Sequence, residues 1–298
     1  MSRIFEALQR ADLERKAAPE PEEEPFVAPA AATAVEDSDG FAPQLDLDHL
    51  SRHPWTPLLA SLPTLAERGA GVEQFRSLRS RIYQARYERP LKTILISSGS
   101  PSEGKSFVAA NLAMSLVRNS ENNILLIDGD LRRPTLHKLL GAPNTPGLAE
   151  YLDGTASMKE ILQRGGRPKS RESSSSGGVF NLTFIPAGKC GDNSSELIAN
   201  HRIEELIAAA SPHFDWILID SPPVLAVTDA VELAHAADAV LLIARGGSTT
   251  YGVAQRTQAA FSNSHILGFV LNDVTNLPRN GYGYYNYYTG RDATASSS

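Results

Sequence analysis

The sequence predicts an α/β fold in which a mostly parallel sheet is covered by helices on both faces. Short apolar runs without polar alternation recur from residue 93 onward, as is typical of strands that are buried on both faces. Stretches with helical periodicity separate these runs, which favours parallel pairing through helical crossovers. The runs are TILIS at 93–97, ILLID at 124–128, LTFIP at 182–186, WILID at 216–220, AVLLIA at 239–244 and ILGFVLN at 266–272.

Changes in composition divide the 298-residue chain into four segments. Residues 1–16 predict an amphipathic helix, which is too short to be stable alone in water and needs a docking surface on its own domain or on a partner. Residues 17–68, rich in Ala, Pro and Glu, predict a disordered or irregular linker. Residues 69–275 hold the predicted α/β domain, and residues 276–298 are predicted to form a flexible, Tyr-rich segment that we call the tail.

Two helices of the α/β domain are signalled by particular residues. VEQFRSLRSRIYQ, which begins at residue 72, repeats apolar side chains at helical spacing. Asn193, three residues before Glu196, predicts an N-cap for a helix that continues through LIANHRIEELI at 197–207. PKSRESSSSGG at 168–178 predicts a surface loop instead.

The composition excludes several classes of protein. A formal net charge of −6 argues against a nucleic-acid binder, which would show a basic excess. Apolar runs stay well short of the ~18–20 residues that cross a bilayer, and the N-terminus lacks the apolar core of a secretory signal. The histidines do not pair at metal-ligand spacing, and a single cysteine suits a reducing compartment. We therefore expect a cytoplasmic protein that reaches the inner face of the cell membrane through a partner.

A phosphate-binding motif follows the first strand. GSPSEGKS at 99–106 matches G-x-x-x-x-G-K-[ST], with a predicted strand before it and the predicted helix FVAANLAMSLV after it. The glycines let backbone N–H groups surround phosphate oxygens, the lysine meets the β- and γ-phosphates, and the serine hydroxyl binds Mg²⁺. A chance match in a Gly/Ser loop would lack this strand–helix context. The residues expected at the nucleotide are Gly99, Ser102, Glu103, Gly104, Lys105, Ser106 and Phe107.

Carboxylates end two of the predicted buried strands. Asp128 and Asp130 follow the strand at 124–128, and Asp220 ends the strand at 216–220. The carboxyl ends of parallel strands are where open α/β sheets bind ligands. Three carboxylates close together repel one another unless a cation or a proton relieves them, and the Mg²⁺ that accompanies a nucleoside triphosphate would do so. Any one of these aspartates alone could be a turn former.

The tail concentrates tyrosine. Five of the nine tyrosines lie within GYGYYNYYTG at 281–290, where glycines and an asparagine break both helical and strand periodicity. One interpretation is an aromatic low-complexity end with no further role. The other interpretation is a set of exposed phosphate acceptors. These candidates are Tyr282, Tyr284, Tyr285, Tyr287 and Tyr288.

Together these segments resemble the bacterial tyrosine kinases, a P-loop NTPase family whose members autophosphorylate and control exopolysaccharide synthesis. SSGSPSEGKS resembles the family's Walker A motif, IDGDLRRP its second aspartate motif (Walker A′), and LIDSPP its Walker B motif. LNDV resembles the segment at the nucleotide base, which makes Asn272 the expected adenine contact. MSRIFEAL resembles members that are free cytoplasmic polypeptides paired with a separate membrane protein.

The resemblance implies an enzyme, an ATP:protein-tyrosine phosphotransferase that phosphorylates its own tail, between the subunits of a ring. It further implies an activating membrane chain-length-determinant protein (a polysaccharide co-polymerase) and a cognate tyrosine phosphatase. In the implied site Lys105 and the loop amides stabilise the phosphoryl charge, and Ser106, Asp130 and Asp220 hold Mg²⁺. Asp128 orients or deprotonates the incoming phenol, a role that it could exchange with Asp130.

The helix at residue 72 carries a further pattern of the same family. Glu73, Arg76 and Arg79 form E-x-x-R-x-x-R, and steps of three residues keep them within about 120° of arc on one side of a helix. In the family this pattern resembles the subunit contact that closes a ring. Alternatively it is a solvated charged face, in which a Glu–Arg pair contributes only ~0.2–0.5 kcal/mol.

The rival interpretations are a partition or positioning ATPase of the same fold and a non-catalytic scaffold of the polysaccharide machinery. The positioning ATPases carry a signature lysine just after the first glycine of the phosphate loop, where this chain has Ser100. One departure from the kinase pattern is Phe107, which stands where the family commonly has threonine and which is expected to weaken nucleotide binding.

Overall fold

The computed structural model describes residues 47–118, 122–165, 181–191 and 193–274. Eight strands form one sheet in these residues. Each run predicted from the sequence is a strand, and its observed bounds differ from the prediction by at most one residue. The strands are β1 (Arg52–His53), β2 (Thr93–Ser98), β3 (Ile124–Asp128), β4 (Gln163–Gly165), β5 (Leu182–Ile185), β6 (Trp216–Asp220), β7 (Ala239–Arg245) and β8 (Ile266–Asn272).

The sheet is mostly parallel, as predicted. Its strand order is β1-β4-β5-β3-β6-β2-β7-β8. All neighbouring strands pair in parallel except β4 and β5, which are antiparallel. Strands β3, β6 and β2 therefore lie side by side in the middle of the sheet with their carboxyl ends at one edge. The phosphate motif and all three candidate aspartates follow these strands.

Nine helices connect the strands in the described ranges. The long helix α1 (Ala70–Glu88) precedes β2, and α2 (Lys105–Val117) follows it. Short helices fill most of the other crossovers. They are α3 (Leu136–Leu140), α4 (Leu148–Leu152), α5 (Met158–Ile161), α6 (Ser194–Ile198), α7 (Arg202–Ala210), α8 (Asp229–His235) and α9 (Tyr251–Ala260).

Helices cover both faces of the sheet, and the strands supply alternate residues to two cores. Ile94 and Ile96 of β2 pack with helices α1, α2 and α3 on one face. Leu95 of the same strand belongs to the core on the other face, with helices α4 to α8. Because both faces are buried, polar alternation is absent from the central strands, which is the pattern that predicted the fold.

The ordered domain begins before residue 69. Strand β1 adds to the sheet beside β4, and Leu50 and Leu62 are buried, one in each core. Trp55 packs edge-on against Phe184 of β5 at 6.1 Å between ring centroids. The sequence assigns this segment to the disordered or irregular linker at 17–68. Its few large apolar side chains nevertheless dock on the sheet.

The helix predicted through 197–207 is instead two helices. Helix α6 ends at Ile198 and α7 begins at Arg202, with His201 between them at a φ of 59°. A left-handed residue cannot continue a right-handed helix. Asn193 does lie at the N-cap position of α6, but its side chain makes no capping hydrogen bond.

Three predicted segments lie outside the described residues: the N-terminal helix at 1–16, the loop at 168–178 and the tail with its tyrosines. Within the described ranges, no helix combines the length and the apolar character needed to cross a bilayer.

Candidate active site

The phosphate loop joins the end of β2 to the start of α2. Ser102 has a φ of 64° and Gly104 a φ of 95°, so the chain turns sharply before Lys105, the first residue of α2. Lys105 is only 7% exposed. The loop thus stands over the N-terminus of a 13-residue helix, where free N–H groups and the helix dipole favour an anion.

The two glycines of the motif are required by close neighbours. A Cβ on Gly99 would lie 2.2 Å from the hydroxyl oxygen of Thr257, in helix α9. A Cβ on Gly104 would lie 2.1 Å from the side-chain nitrogen of Asn272. Asn272 donates from that nitrogen to the carbonyl of Glu103 at 3.0 Å. The residue predicted to meet the adenine base therefore lies at the rim of the phosphate loop.

The carboxylate of Glu103, a residue expected at the nucleotide, is engaged within the protein. Glu103 is 3% exposed, and its carboxylate accepts hydrogen bonds from the backbone N–H of Ser100 at 2.7 Å and from the hydroxyl of Thr249. The side chain closes the loop on itself and ties it to the segment after β7. Glu103 contributes to the site through the shape of the loop.

The three aspartates converge at the carboxyl edge of β3 and β6. Asp128 and Asp220 are direct partners in the parallel register of these strands, and both are fully buried. Asp128 accepts hydrogen bonds from backbone N–H groups that follow it in the chain, which folds the turn from 129 to 136. The donors are Asp130 at 3.3 Å, Thr135 at 3.2 Å and Leu136 at 3.1 Å.

Asp220 differs from Asp128 in its hydrogen bonding. Both of its side-chain oxygens are buried, and neither has a hydrogen bond of normal geometry within the described part of the chain. A buried carboxylate without such partners is costly in its charged form. The arrangement is explained if a ligand completes it, because buried polar groups in folded proteins otherwise find partners.

Burial shifts the acidity of all three carboxyl groups. It raises the pKa of Asp220 to about 7, against the opposing effects of the Lys105 ammonium and the nearby Ser106 hydroxyl. Burial, and then the charge of Asp220, raise the pKa of Asp128 well above its usual range. The pKa of Asp130 is also raised by burial, although N–H groups and Lys105 oppose the shift. The positive charge near the three carboxyl groups is therefore too small to keep their pKa values in the usual range.

A magnesium ion fits this deficit. Ser106 accepts a hydrogen bond from the Thr135 hydroxyl at 2.8 Å, and its own hydroxyl lies near enough to Asp220 to oppose the rise in the pKa of that carboxyl. Together with Asp220 and Asp130 it offers hard oxygen ligands, which Mg²⁺ prefers. In the described ranges no three His, Cys, Asp or Glu side chains form a complete metal cage. Mg²⁺ commonly keeps several waters and takes phosphate oxygens as further ligands.

Sequence reasoning did not identify one ion pair beside the site. Arg132, two residues after Asp130, donates to the buried carboxylate of Asp229 at 3.0 Å and to the hydroxyl of Ser195 at 2.7 Å. Ser195 in turn donates to Asp229 at 2.7 Å. The pair fixes the aspartate-rich turn to helices α6 and α8. No local signal could have found it, because Arg132 and Asp229 lie 97 positions apart.

The E-x-x-R-x-x-R residues form a charged face on α1, away from the phosphate loop. Glu73 and Arg76 make an ion pair at 2.8 Å on the surface. Arg79 is half-buried and turns inward, donating to the carbonyl of Ser115 in α2. Glu73 and Arg76 therefore pair on the surface of α1. Arg79 instead holds α1 to α2.

Phe107 lies between these two regions. Its ring packs against Phe75 of α1, with 6.0 Å between the ring centroids, and joins the core on that face. The side chain predicted to line the nucleotide therefore points into the interface between α1 and α2. Only the backbone of Phe107 is available to contact a nucleotide.

The chain is similar in sequence to known tyrosine-protein kinases. The chain is 34% identical over 215 residues to the tyrosine-protein kinase YwqD of Bacillus subtilis, covering 72% of this chain and 85% of that relative. It is 32% identical over 267 residues to the tyrosine-protein kinase Ptk of Acinetobacter johnsonii, covering 85% of this chain. The chain spans between 28% and 34% of the length of Ptk and of two further kinase relatives.

A solved structure shares the fold. The kinase domain of the Escherichia coli tyrosine kinase ETK superimposes with a TM-score of 0.65 and 28% identity, covering 84% of this chain and 87% of that domain. No protein-family model matches the chain. The relatives and the structure named above are tyrosine kinases. The chain therefore belongs to the family of bacterial tyrosine-protein kinases.

Proposed function

We propose that the protein is an ATP-dependent tyrosine autokinase that phosphorylates the tyrosines of its own tail. The observation that carries the proposal is that the phosphate loop, with Lys105 at the start of α2, lies beside the buried carboxylate of Asp220, whose oxygens lack a hydrogen bond of normal geometry within the described residues. A phosphate-binding loop beside an uncompensated carboxylate suits a triphosphate that arrives with its own cation. Membership of a tyrosine-kinase family supports phosphoryl transfer to a phenol.

Named residues would hold the nucleotide and its ion. Ser106 and Asp220 would bind Mg²⁺ directly or through water, which leaves Asp130 for the phenol, and bound Mg²⁺ neutralises phosphate charge. Lys105 and the loop amides bind the phosphate oxygens and stabilise the charge that develops on them. Asn272, at the rim of the phosphate loop, would contact the base. These residues supply orientation and electrostatics, which is most of what phosphoryl transfer requires.

The geometry favours Asp130 over Asp128 as the group that orients the phenol. Asp128 is fully buried and holds backbone N–H groups with both oxygens. Asp130 is 8% exposed and lies further out on the same turn. Because a phenol with a pKa near 10 is neutral, the carboxylate needs to accept its proton in a hydrogen bond. In this proposal Asp128 folds the turn that presents Asp130.

The tail can reach an active site of either its own chain or a neighbour. From Val274 to Tyr282 the chain is eight residues long, which spans at most about 26–29 Å. We propose transfer between the subunits of a ring that is closed through Glu73, Arg76 and Arg79. Five phosphorylated tyrosines would add roughly −8 to −10 of charge, more than the formal −6 of the whole chain. Repulsion between tails would then open the ring.

The cellular role follows from the family. We propose that the ring regulates exopolysaccharide synthesis or export from the cytoplasm. A membrane chain-length-determinant protein, a polysaccharide co-polymerase, would recruit it to the inner face of the cell membrane and activate it. A cognate tyrosine phosphatase would reset the tail.

The test is incubation of the full chain with ATP and Mg²⁺, followed by mass spectrometry of the tail. Phosphotyrosine confined to residues 282–288 is expected. Lys105→Met removes the phosphate contact and should abolish the modification, while melting curves show that this variant remains folded. Exposed Lys189→Met is the matched control and should leave the modification unchanged.

Two other outcomes would contradict the proposal. ATP hydrolysis without phosphotyrosine would indicate a positioning-type ATPase. Nucleotide binding without either reaction, in the presence of the membrane partner's cytoplasmic segment, would indicate a scaffold.

A further inference from the structure

We propose that Arg245 is a positioning residue that fastens the start of the tail to the rim of the phosphate loop. Arg245 is the last residue of β7, and Asp273 follows the end of β8. The inference rests on the proposed function, because it concerns how the acceptor tyrosines are delivered to the site.

One side chain joins the two segments. Arg245 donates from Nε and Nη2 to the same carboxylate oxygen of Asp273, at 2.9 and 2.7 Å. Its third nitrogen, Nη1, donates to the carbonyl of Ser102 at 3.3 Å. The planar guanidinium can donate hydrogen bonds in two directions at once, which an ammonium cannot do with the same geometry. We call Arg245, Asp273 and Ser102 the clasp.

The two residues that Arg245 bridges share an unusual backbone conformation. Within the described ranges, three non-glycine residues have a positive φ, and two of them are Ser102 at 64° and Asp273 at 52°. Such conformations are unfavourable for side-chain-bearing residues and persist where surrounding contacts hold them. The clasp supplies such a contact to both.

The phosphate loop keeps most of its contacts without the clasp. Glu103 already closes the loop through Ser100 and Thr249, and Asn272 donates to the Glu103 carbonyl. The bond from Arg245 to Ser102 is a single one at the long end of the range. Asp273, by contrast, receives two donors from Arg245, so loss of Arg245 acts mainly on the segment that leads into the tail.

The clasp contributes little to stability. The side chains of Arg245 and Asp273 are 43% and 48% exposed, and ion pairs at such exposure are weak. Its position suggests another role: Val274 follows Asp273, and the tail begins two residues later. Fixing Asp273 beside Ser102 holds the last described residues before the tail next to the phosphate loop.

The test compares the rate of tail phosphorylation with the Michaelis constant for ATP. Arg245→Ala and Asp273→Ala should each lower the rate at saturating ATP by about tenfold or more, because misplaced reactants lose rate steeply. The Michaelis constant should change by less than about threefold, since the loop keeps its other contacts. The double variant should be no slower than either single one, because the two groups act as a unit. Arg245→Lys should recover part of the rate.

Arg256→Ala is the matched control. Arg256 lies on the exposed side of α9 and contacts the Gly252 carbonyl of its own helix. The rate of tail phosphorylation in Arg256→Ala should equal that of the unmodified chain. Unchanged rates in Arg245→Ala, or losses that multiply in the double variant, would overturn the proposal.

A second readout separates failure of the clasp from failure of the kinase proposal. Hydrogen–deuterium exchange of the peptide that spans residues 270–276 does not depend on catalysis. ATP analogue should slow exchange there in the unmodified chain and in Arg256→Ala, and should have no such effect in Arg245→Ala. Equal protection in all three proteins would overturn the clasp even if tail phosphorylation were confirmed. If phosphotyrosine is absent while protection follows the prediction, the clasp stands and the kinase proposal fails.

Discussion

The phosphate site and the charged face of α1 both carry a sequence motif of the same family, yet the structure treats them differently. At the phosphate site, charged groups are buried together and one carboxylate lacks a partner, so the protein alone is electrostatically incomplete. On α1, Glu73 and Arg76 already satisfy each other at the surface, and Arg79 is bonded to α2. The first region leaves carboxyl groups with raised pKa values, whereas the charges of the second satisfy each other.

This difference separates two kinds of inference. Burying a charged group without a partner is unfavourable, and this follows from physical chemistry without reference to relatives. A solvated Glu–Arg pair poses no such problem, so its role in a ring depends on the family and on experiment.

Asp220→Asn should abolish tail phosphorylation. The amide keeps the shape of the carboxylate but removes the charge that would hold Mg²⁺, and loss of such preorganised charge costs at least about a hundredfold in rate. The rate is measured by phosphotyrosine in the tail at saturating ATP. Glu205→Gln, an exposed carboxyl change on α7, is the control and should be neutral. A rate within threefold of normal in Asp220→Asn would show that the buried carboxylate is not a functional ligand.

The same variant should change how stability depends on pH. The pKa of Asp220 is about 7 in the folded protein and near 3.8 when unfolded. Between these values the folded state holds a proton that the unfolded state releases, so this group makes folding less favourable as pH rises from about 4 to 7. Asp220→Asn removes the effect.

Without nucleotide, the variant's free energy of unfolding relative to the unmodified chain should therefore be higher at pH 8 than at pH 4. The difference should be on the order of a few kcal/mol. Urea titrations across this pH range measure it. A constant difference between the two proteins at every pH would contradict the assignment of the raised pKa to Asp220.

Phe107→Ala tests the contact between the two regions. The ring joins the phosphate-loop helix to α1 through Phe75. Its removal should lower the free energy of unfolding by about 1–3 kcal/mol, less than for a fully buried phenylalanine. The Michaelis constant for ATP should stay within about twofold, because the ring points away from the nucleotide. A large rise in that constant with little loss of stability would place the side chain at the nucleotide after all.

The smallest effects should come from the charged face of α1. Arg79→Ala should lower the free energy of unfolding by about 1 kcal/mol, because it breaks the hydrogen bond to Ser115. Arg76→Ala should cost no more than ~0.5 kcal/mol. Both variants should weaken ring assembly in sedimentation experiments, whereas exposed Arg81→Ala should not. A ring that survives both changes would remove the contact from the account and leave the face as a solvated one.

Much of the fold could be predicted because it depends on local patterns. Central strands between two layers of helices must be apolar throughout, and that signature lies within five or six consecutive residues. The phosphate loop was also predictable, since its glycines, lysine and serine act through spacing along the chain. The kinase family and the parallel sheet are confirmed.

The remaining features depend on contacts between distant segments. Glu103 is at a motif position, yet its direction is set by Thr249, and Phe107 is turned by Phe75 of a preceding helix. Arg132 is held by Asp229, and Arg245 reaches both Ser102 and Asp273. No period or local motif encodes these pairings. The same is true of residues 47–65, whose order comes from docking on the sheet.

The release of protons when Mg·ATP binds tests most simply whether a magnesium-bound nucleotide completes the site at Asp220. Calorimetry of preformed Mg·ATP binding near pH 6.5, in buffers of different ionisation enthalpy, measures it. Because Asp220 with a pKa of about 7 is mostly protonated at that pH, roughly one proton should leave per site, and Asp220→Asn should release markedly fewer. Equal release by both proteins, or none by the unmodified chain, would contradict the claim.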